Sequence, residues 1–121
     1  MSLSLIVCDD SNMARKQLLR ALPEALGAQV TLATNGREGI EAIRAGKGEL
    51  IFLDLTMPEL DGYEVLQHMQ QEGLTGKVIV ISADIQPEAR ARVLALGAIE
   101  FIKKPVAADV LNDVLQRHGL L

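Results

Sequence analysis

The chain has 121 residues, a net charge of −4 and one cysteine, and 49% of its residues are apolar. That length suits one domain spanning residues 1–121, with a core of ordinary size. The balance excludes a clustered basic surface for nucleic acid, an apolar run of the ~20 residues that cross a membrane, and an internal disulfide. The single Cys8 fits a reducing cytoplasm and plain burial at a strand end. The N-terminus carries no basic region followed by an apolar stretch, so no signal peptide is expected.

In chain order, apolar runs alternate with helical patterns. Leu3 to Cys8 reads as a buried strand. Residues 12–22 place Ala14, Leu18, Ala21 and Leu22 at helical spacing, and Pro23 should kink or end that helix. Gln29 to Ala33 reads as a second, more polar strand. Asn35-Gly36 marks a turn, and a helix follows to about Gly46. Leu50 to Leu53 is the third strand and runs into Asp54. Pro58 and Gly62 bracket a loop before a helix over 63–72. Val78 to Ile81 is the fourth strand, and Pro87 suits the first turn of a helix that runs to Leu96 with Gly97 closing it. Phe101-Ile102 is a short fifth strand. The last helix carries Ala107, Val110, Leu111, Val114 and Leu115 on its apolar face.

Strands alternating with helices imply an α/β fold, a five-stranded parallel sheet with right-handed crossovers and helices on both faces. The first, third and fourth strands are continuously apolar, as strands buried on both faces are. The more polar second strand belongs at an edge. The expected order is 2-1-3-4-5, that of flavodoxin-like sheets. Only three side chains are aromatic, Phe52, Tyr63 and Phe101, so the core must be aliphatic.

Ligands in such sheets bind beyond the carboxyl ends of the strands. The first strand delivers Asp9 and Asp10 there, the third Asp54, the fourth Ser82 and the fifth Lys104. Each alone has an ordinary explanation: an Asp that forms a turn or caps a helix, a Ser that caps, a solvated Lys. Four strand ends that together supply acids, a hydroxyl and a base are a different matter. Three converging carboxylates repel unless some protonate or a cation binds, and hard oxygen donors with open positions suit Mg²⁺. A carboxylate held beside a metal and a lysine can attack phosphorus and carry the phosphoryl group as an aspartyl phosphate.

At this point the sequence resembles the receiver domains of two-component response regulators, of the single-domain, chemotaxis (CheY-like) type. The resemblance covers essentially the whole chain. It rests on Ile6-Val7-Cys8-Asp9-Asp10-Ser11, on Asp54-Leu55-Thr56-Met57-Pro58-Glu59-Leu60-Asp61-Gly62, on Val80-Ile81-Ser82-Ala83, and on Gly97 to Pro105. It implies a cytoplasmic phosphorelay protein, phosphorylated on Asp54 by a sensor histidine kinase or its phosphotransfer domain. Asp10, Asp54 and the Thr56 backbone carbonyl would bind Mg²⁺, with Asp9 holding a metal-bound water. Lys104 would sit on Asp54 and then on the phosphoryl group, oriented by a cis Lys104-Pro105 bond. Ser82 and Phe101 would be the switch pair, and Thr56 and Asp84 would tune the phosphoryl lifetime. The face built from the fourth helix, fifth strand and last helix, with Gln86, Arg90, Phe101, Lys103 and Val106, would meet an output protein or phosphatase.

Catalysis would extend only to the protein's own phosphotransfer and dephosphorylation. Phe101 stands where chemotaxis members commonly carry Tyr, which removes a hydroxyl from that face. A haloacid-dehalogenase-type phosphatase would need an acid where Thr56 stands, and a dinucleotide binder would need G-x-G-x-x-G. Two alternatives remain at this level: the N-terminal receiver of a longer regulator, and a receiver-fold scaffold that works without phosphorylation.

Overall fold

The computed structural model describes residues 3–84 and 86–121. Strand β1 (Leu3–Cys8) leads into helix α1 (Asn12–Ala21), followed by a 3₁₀ turn (Glu24–Leu26) and β2 (Ala28–Ala33). Then come α2 (Gly36–Arg44), β3 (Leu50–Leu53), α3 (Gly62–Glu72) and β4 (Lys77–Ser82). The chain continues through α4 (Pro87–Ala95), β5 (Glu100–Lys103) and α5 (Ala108–Arg117). The strands form one parallel sheet in the order β2-β1-β3-β4-β5, as expected.

The unbroken apolar runs of β1, β3 and β4 are explained by the two faces they serve. Ile6, Cys8, Ile51, Leu53, Val78 and Val80 point to one side, where α2, α3 and α4 supply Ile40, Ile43, Val65, Leu66, Met69 and Val93. Leu5, Val7, Leu50, Phe52, Ile79 and Ile81 point to the other, against Leu18 of α1 and Leu111, Val114 and Leu115 of α5. Alternation along a strand sends neighbouring side chains to opposite faces, so a doubly covered strand must be apolar throughout. Fully burying each Leu or Ile contributes about 1.5–3 kcal/mol. At the edge, β2 leaves Val30 41% and Leu32 50% exposed.

The structure departs from the sequence reading in three places. Pro23 does end α1, but the chain then makes a further 3₁₀ turn that buries Leu26. The apolar face of α5 is narrower than expected: Ala107 is its exposed N-cap, and Val110 is 45% exposed. Val110 lies one turn before Val114 and at the margin of the stripe set by Leu111, Val114 and Leu115, in a first turn that is exposed throughout. Val106 is half-buried against the α1/α5 core rather than free on the surface.

Caps set where the helices begin. Ser11 accepts from the Ala14 amide and Asn35 from the Glu38 amide, while Asp61 and Glu64 form a reciprocal capping box. Two glycines draw the loop after β3 tight. A Cβ at Gly62 would strike the Asp54 carbonyl, and one at Gly36 the Leu60 carbonyl. Residues 54–62 are thereby clamped between the starts of α2 and α3.

Candidate functional site

The carboxyl ends of β1, β3, β4 and β5 bring the expected residues to one rim. Asp9 and Asp54 are buried at 6% exposure each, beside an open Asp10. One oxygen from each of the three carboxylates lies within 4.8 Å of the others. Lys104, half-buried and preceding a cis peptide bond to Pro105, reaches across from the end of β5. Its Nζ lies 2.8 Å from Asp9 Oδ2 and 3.3 Å from Asp54 Oδ1. The lysine therefore contacts Asp54, as the resemblance implies, and also bridges to Asp9, to which it lies closer. Strand alternation separates the two neighbouring lysines, and Lys103 is exposed on the outer side.

These contacts shift the titration of the groups involved. Burial, then the charge of Asp9, pushes the Asp54 carboxyl up, while Lys104 pulls it down without cancelling the rise. Burial alone would lower Lys104, but hydrogen bonds and charge from Asp9 and Asp54 outweigh it and hold the ammonium form. Asp54 is thus a desolvated carboxylate with a cation at hand, the condition for a nucleophile that carries charge without being quenched by water. Beneath Asp9, Asp54 and Lys104 lies a cavity of ≈ 20 Å³, walled by Ala14 and Gln17 of α1 and by Ile81. That is room for one water molecule.

The remaining predicted residues surround this core. Ser82 is 2% exposed, and its hydroxyl accepts from the Asp84 amide at 3.1 Å. Asp84 and Thr56 are exposed, and Asp84 Oδ1 accepts from the Gln86 amide at 2.9 Å. Phe101 is half-buried and packs against the core on the α4 side of the sheet. Gln86 and Arg90 are exposed on or beside α4.

Two features of the site were not anticipated. Arg15 of α1 donates from Nη1 to the Asp9 backbone carbonyl at 2.7 Å and from Nη2 to Asn12 Oδ1 at 3.3 Å. In the loop after Asp54, Glu59 adopts a left-handed conformation (φ 68°) and lies 3.4 Å from Arg37. The sequence offered one signal for the first: an arginine in the opening turns of a helix that directly follows the acidic pair.

Comparison with known proteins bears on the same rim. The family model for the response regulator receiver domain matches residues 5–116. The chain belongs to that family. It is a CheY-like receiver of two-component phosphorelay signalling. It is 31% identical to the chemotaxis protein CheY of Listeria monocytogenes, across 95% of this chain and 97% of that protein. It is also 38% identical to protein-glutamate methylesterase/protein-glutamine glutaminase 3 of Geobacter sulfurreducens, across 89% of this chain but 30% of that protein. The receiver spans about a third of the length of the first curated relatives it matches. Among solved structures, the signal receiver domain of the putative response regulator NarL from Mycobacterium tuberculosis superposes with a TM-score of 0.85. It is 28% identical, and the match covers 98% of this chain and 97% of that one. No helix among the described residues is long and apolar enough to cross a membrane.

Proposed function

We propose that this receiver is a Mg²⁺-dependent phosphoacceptor switch in which Asp54 carries the phosphoryl group. The observation that carries the proposal is the three carboxylates whose oxygens lie within 4.8 Å of one another, with Lys104 bridging two of them. Uncompensated carboxylates at that spacing repel, and one lysine neutralises only part of their charge. The donor set is all oxygen and partly open, which fits Mg²⁺. Asp10, Asp54 and the Thr56 carbonyl would hold it directly, and Asp9 through water. A cation so held supplies charge neutralisation for the phosphoryl oxygens.

The chain's own residues do the rest. An Asp54 carboxylate oxygen attacks the phosphorus of a phosphohistidine on a partner kinase or phosphotransfer domain. The P–O bond forms as the P–N bond breaks, and the electron pair leaves with the imidazole. Lys104 follows the negative charge from the carboxylates to the transferred group. The Ser82 hydroxyl gives up its amide contact to donate to a phosphoryl oxygen, and Phe101 turns inward behind it. The altered face is then α4, β5 and α5, where an output protein or phosphatase reads the state. Thr56 and Asp84 stand exposed at the rim, placed to tune the attack of water on the acyl phosphate. A dephosphorylation rate unchanged in Asp84→Ala removes Asp84 from that role.

The test is incubation with Mg²⁺ and acetyl phosphate followed by intact mass measurement. One phosphoryl group is expected, lost in Asp54→Asn and lost when EDTA replaces Mg²⁺. No adduct, with no spectral response to Mg²⁺ or beryllofluoride, would falsify the proposal and favour a phosphorylation-independent scaffold. A second reading, a receiver that serves a larger regulator, is favoured by the greater length of the first curated relatives. The mass of the native polypeptide in its source cells separates the two.

A further inference from the structure

We infer that Arg15 is a positioning residue: its guanidinium fixes the Asp9–Asp10 peptide in the geometry a divalent cation needs. The inference rests on the proposed metal reading of the rim. The starting point is the way the β1–β2 ladder ends. The last rung runs from the Asp9 amide to the Ala33 carbonyl at 3.0 Å. A regular parallel ladder would next bring the Asn35 amide to the Asp9 carbonyl. Asn35 turns away instead to become the N-cap of α2. Arg15 Nη1 takes that place on the carbonyl, at 2.7 Å.

The other polar atoms of Asp9 are engaged as well. Its Oδ1 accepts from the Ser11 amide at 2.9 Å, and its Oδ2 from Lys104 at 2.8 Å. Asp9 is thereby fixed at every polar atom, and the open Asp10 carboxylate is carried on the peptide that Arg15 holds. The cost side of the arrangement supports this role. Arg15 sits in the fourth position of α1, and a cation near a helix N-terminus is disfavoured by the positive end of the helix dipole. Side chains lean toward the N-terminal end of their helix. This lean lets the guanidinium reach the end of the strand, and Asn12 Oδ1 holds its second nitrogen at 3.3 Å.

Charge and geometry predict opposite outcomes, which makes the inference testable. A cation beside the rim repels Mg²⁺, so if Arg15 acted by charge alone, Arg15→Ala would bind Mg²⁺ more tightly. If Arg15 positions the peptide, the same variant binds more weakly, by about ten-fold on the scale of residues that orient metal ligands. Arg15→Lys keeps one donor of similar reach and should recover most of the affinity. The readout is Mg²⁺ affinity by calorimetry on the unphosphorylated protein, with urea unfolding to show that each variant is folded. In parallel, metal-free hydrogen exchange at the Ser11 amide should quicken several-fold in Arg15→Ala while the β3 amides stay unchanged. Equal or tighter Mg²⁺ binding in Arg15→Ala overturns the inference, as does no recovery in Arg15→Lys. Wild-type protein that takes up no Mg²⁺ refutes the metal reading instead. In that case the metal-free exchange decides alone: unchanged protection of Ser11 removes the positioning role.

Discussion

At the scale of single residues, the rim separates groups built to react from groups built to be silent. Cys8 lies directly beside the acids, yet it is 1% exposed, and burial followed by the charges of Asp9 and Asp54 pushes its thiol up to about 12. At pH 7 that leaves about one thiolate in 10⁵. Its Sγ is further enclosed by the Asn35 carbonyl at 3.4 Å and Met57 Sδ at 3.6 Å. Alkylation of Cys8 should therefore proceed only through opening of the fold. The rate should track urea concentration, and fast labelling of the native protein would show that the β1 end is open. Strand-end reasoning also made Asp9, Asp10, Asp54, Ser82 and Lys104 legible in the sequence, because the sheet order fixes which strand ends are neighbours. Arg15 was not legible by that route. Its partner is a backbone carbonyl left free where Asn35 leaves the ladder; the Asn35-Gly36 turn is legible, but residue type does not say which side chain takes the vacated carbonyl.

Elements are held to one another by a few specific pairs over a nonspecific core. The most defined joins α2 to α3: Arg44 Nε and Nη2 donate to the two oxygens of Glu72 at 2.7 and 2.6 Å, and His68 lies 3.3 Å from the same carboxylate. Hydrogen bonding from Arg44 holds Glu72 down to about 2, against an ordinary value of 4.5. A carboxylate depressed on folding adds stability above its unfolded pKa, and that stability is lost as pH falls through the folded one. The difference in urea midpoint between wild type and Glu72→Gln should therefore be largest above about pH 5 and shrink toward pH 2. Added salt should reduce it, since the pair is exposed. A difference that persists unchanged at pH 2 would assign the effect to packing. The sequence showed the helices but not this pair, because the two residues are 28 positions apart and meet only once α2 and α3 lie side by side. It also widened the apolar face of α5, because Val110 is as apolar as Leu111 and lies one turn from the buried Val114, and only the packing of the folded helix leaves its first turn exposed.

For the whole molecule, the alternation of strand and helix made the sheet order and both core layers readable. How unevenly the layers are anchored was not readable. Helix α5 buries Leu111, Val114 and Leu115, and α3 buries Val65, Leu66 and Met69, whereas α4 buries only Ala89 and Val93. Part of what holds α4 lies outside the core: the Arg92 guanidinium stacks on the Tyr63 ring of α3, 3.9 Å from its centroid. Such a stack contributes about 0.5–1 kcal/mol at an exposed site. That corresponds to a change of about two- to five-fold in a local opening equilibrium. An element with so small a buried face, like α1 with Leu18 alone, sits at the low end of local stability, where moving parts are drawn from. Arg92→Ala should accelerate amide hydrogen exchange in α4 by that factor while leaving β1 and β3 at the global rate. If α4 exchanges no faster, the stack adds nothing and Ala89 and Val93 alone anchor the helix. If β3 quickens equally, α4 belongs to the global folding unit, and the face proposed for partner recognition cannot reorganise without unfolding the sheet beneath it.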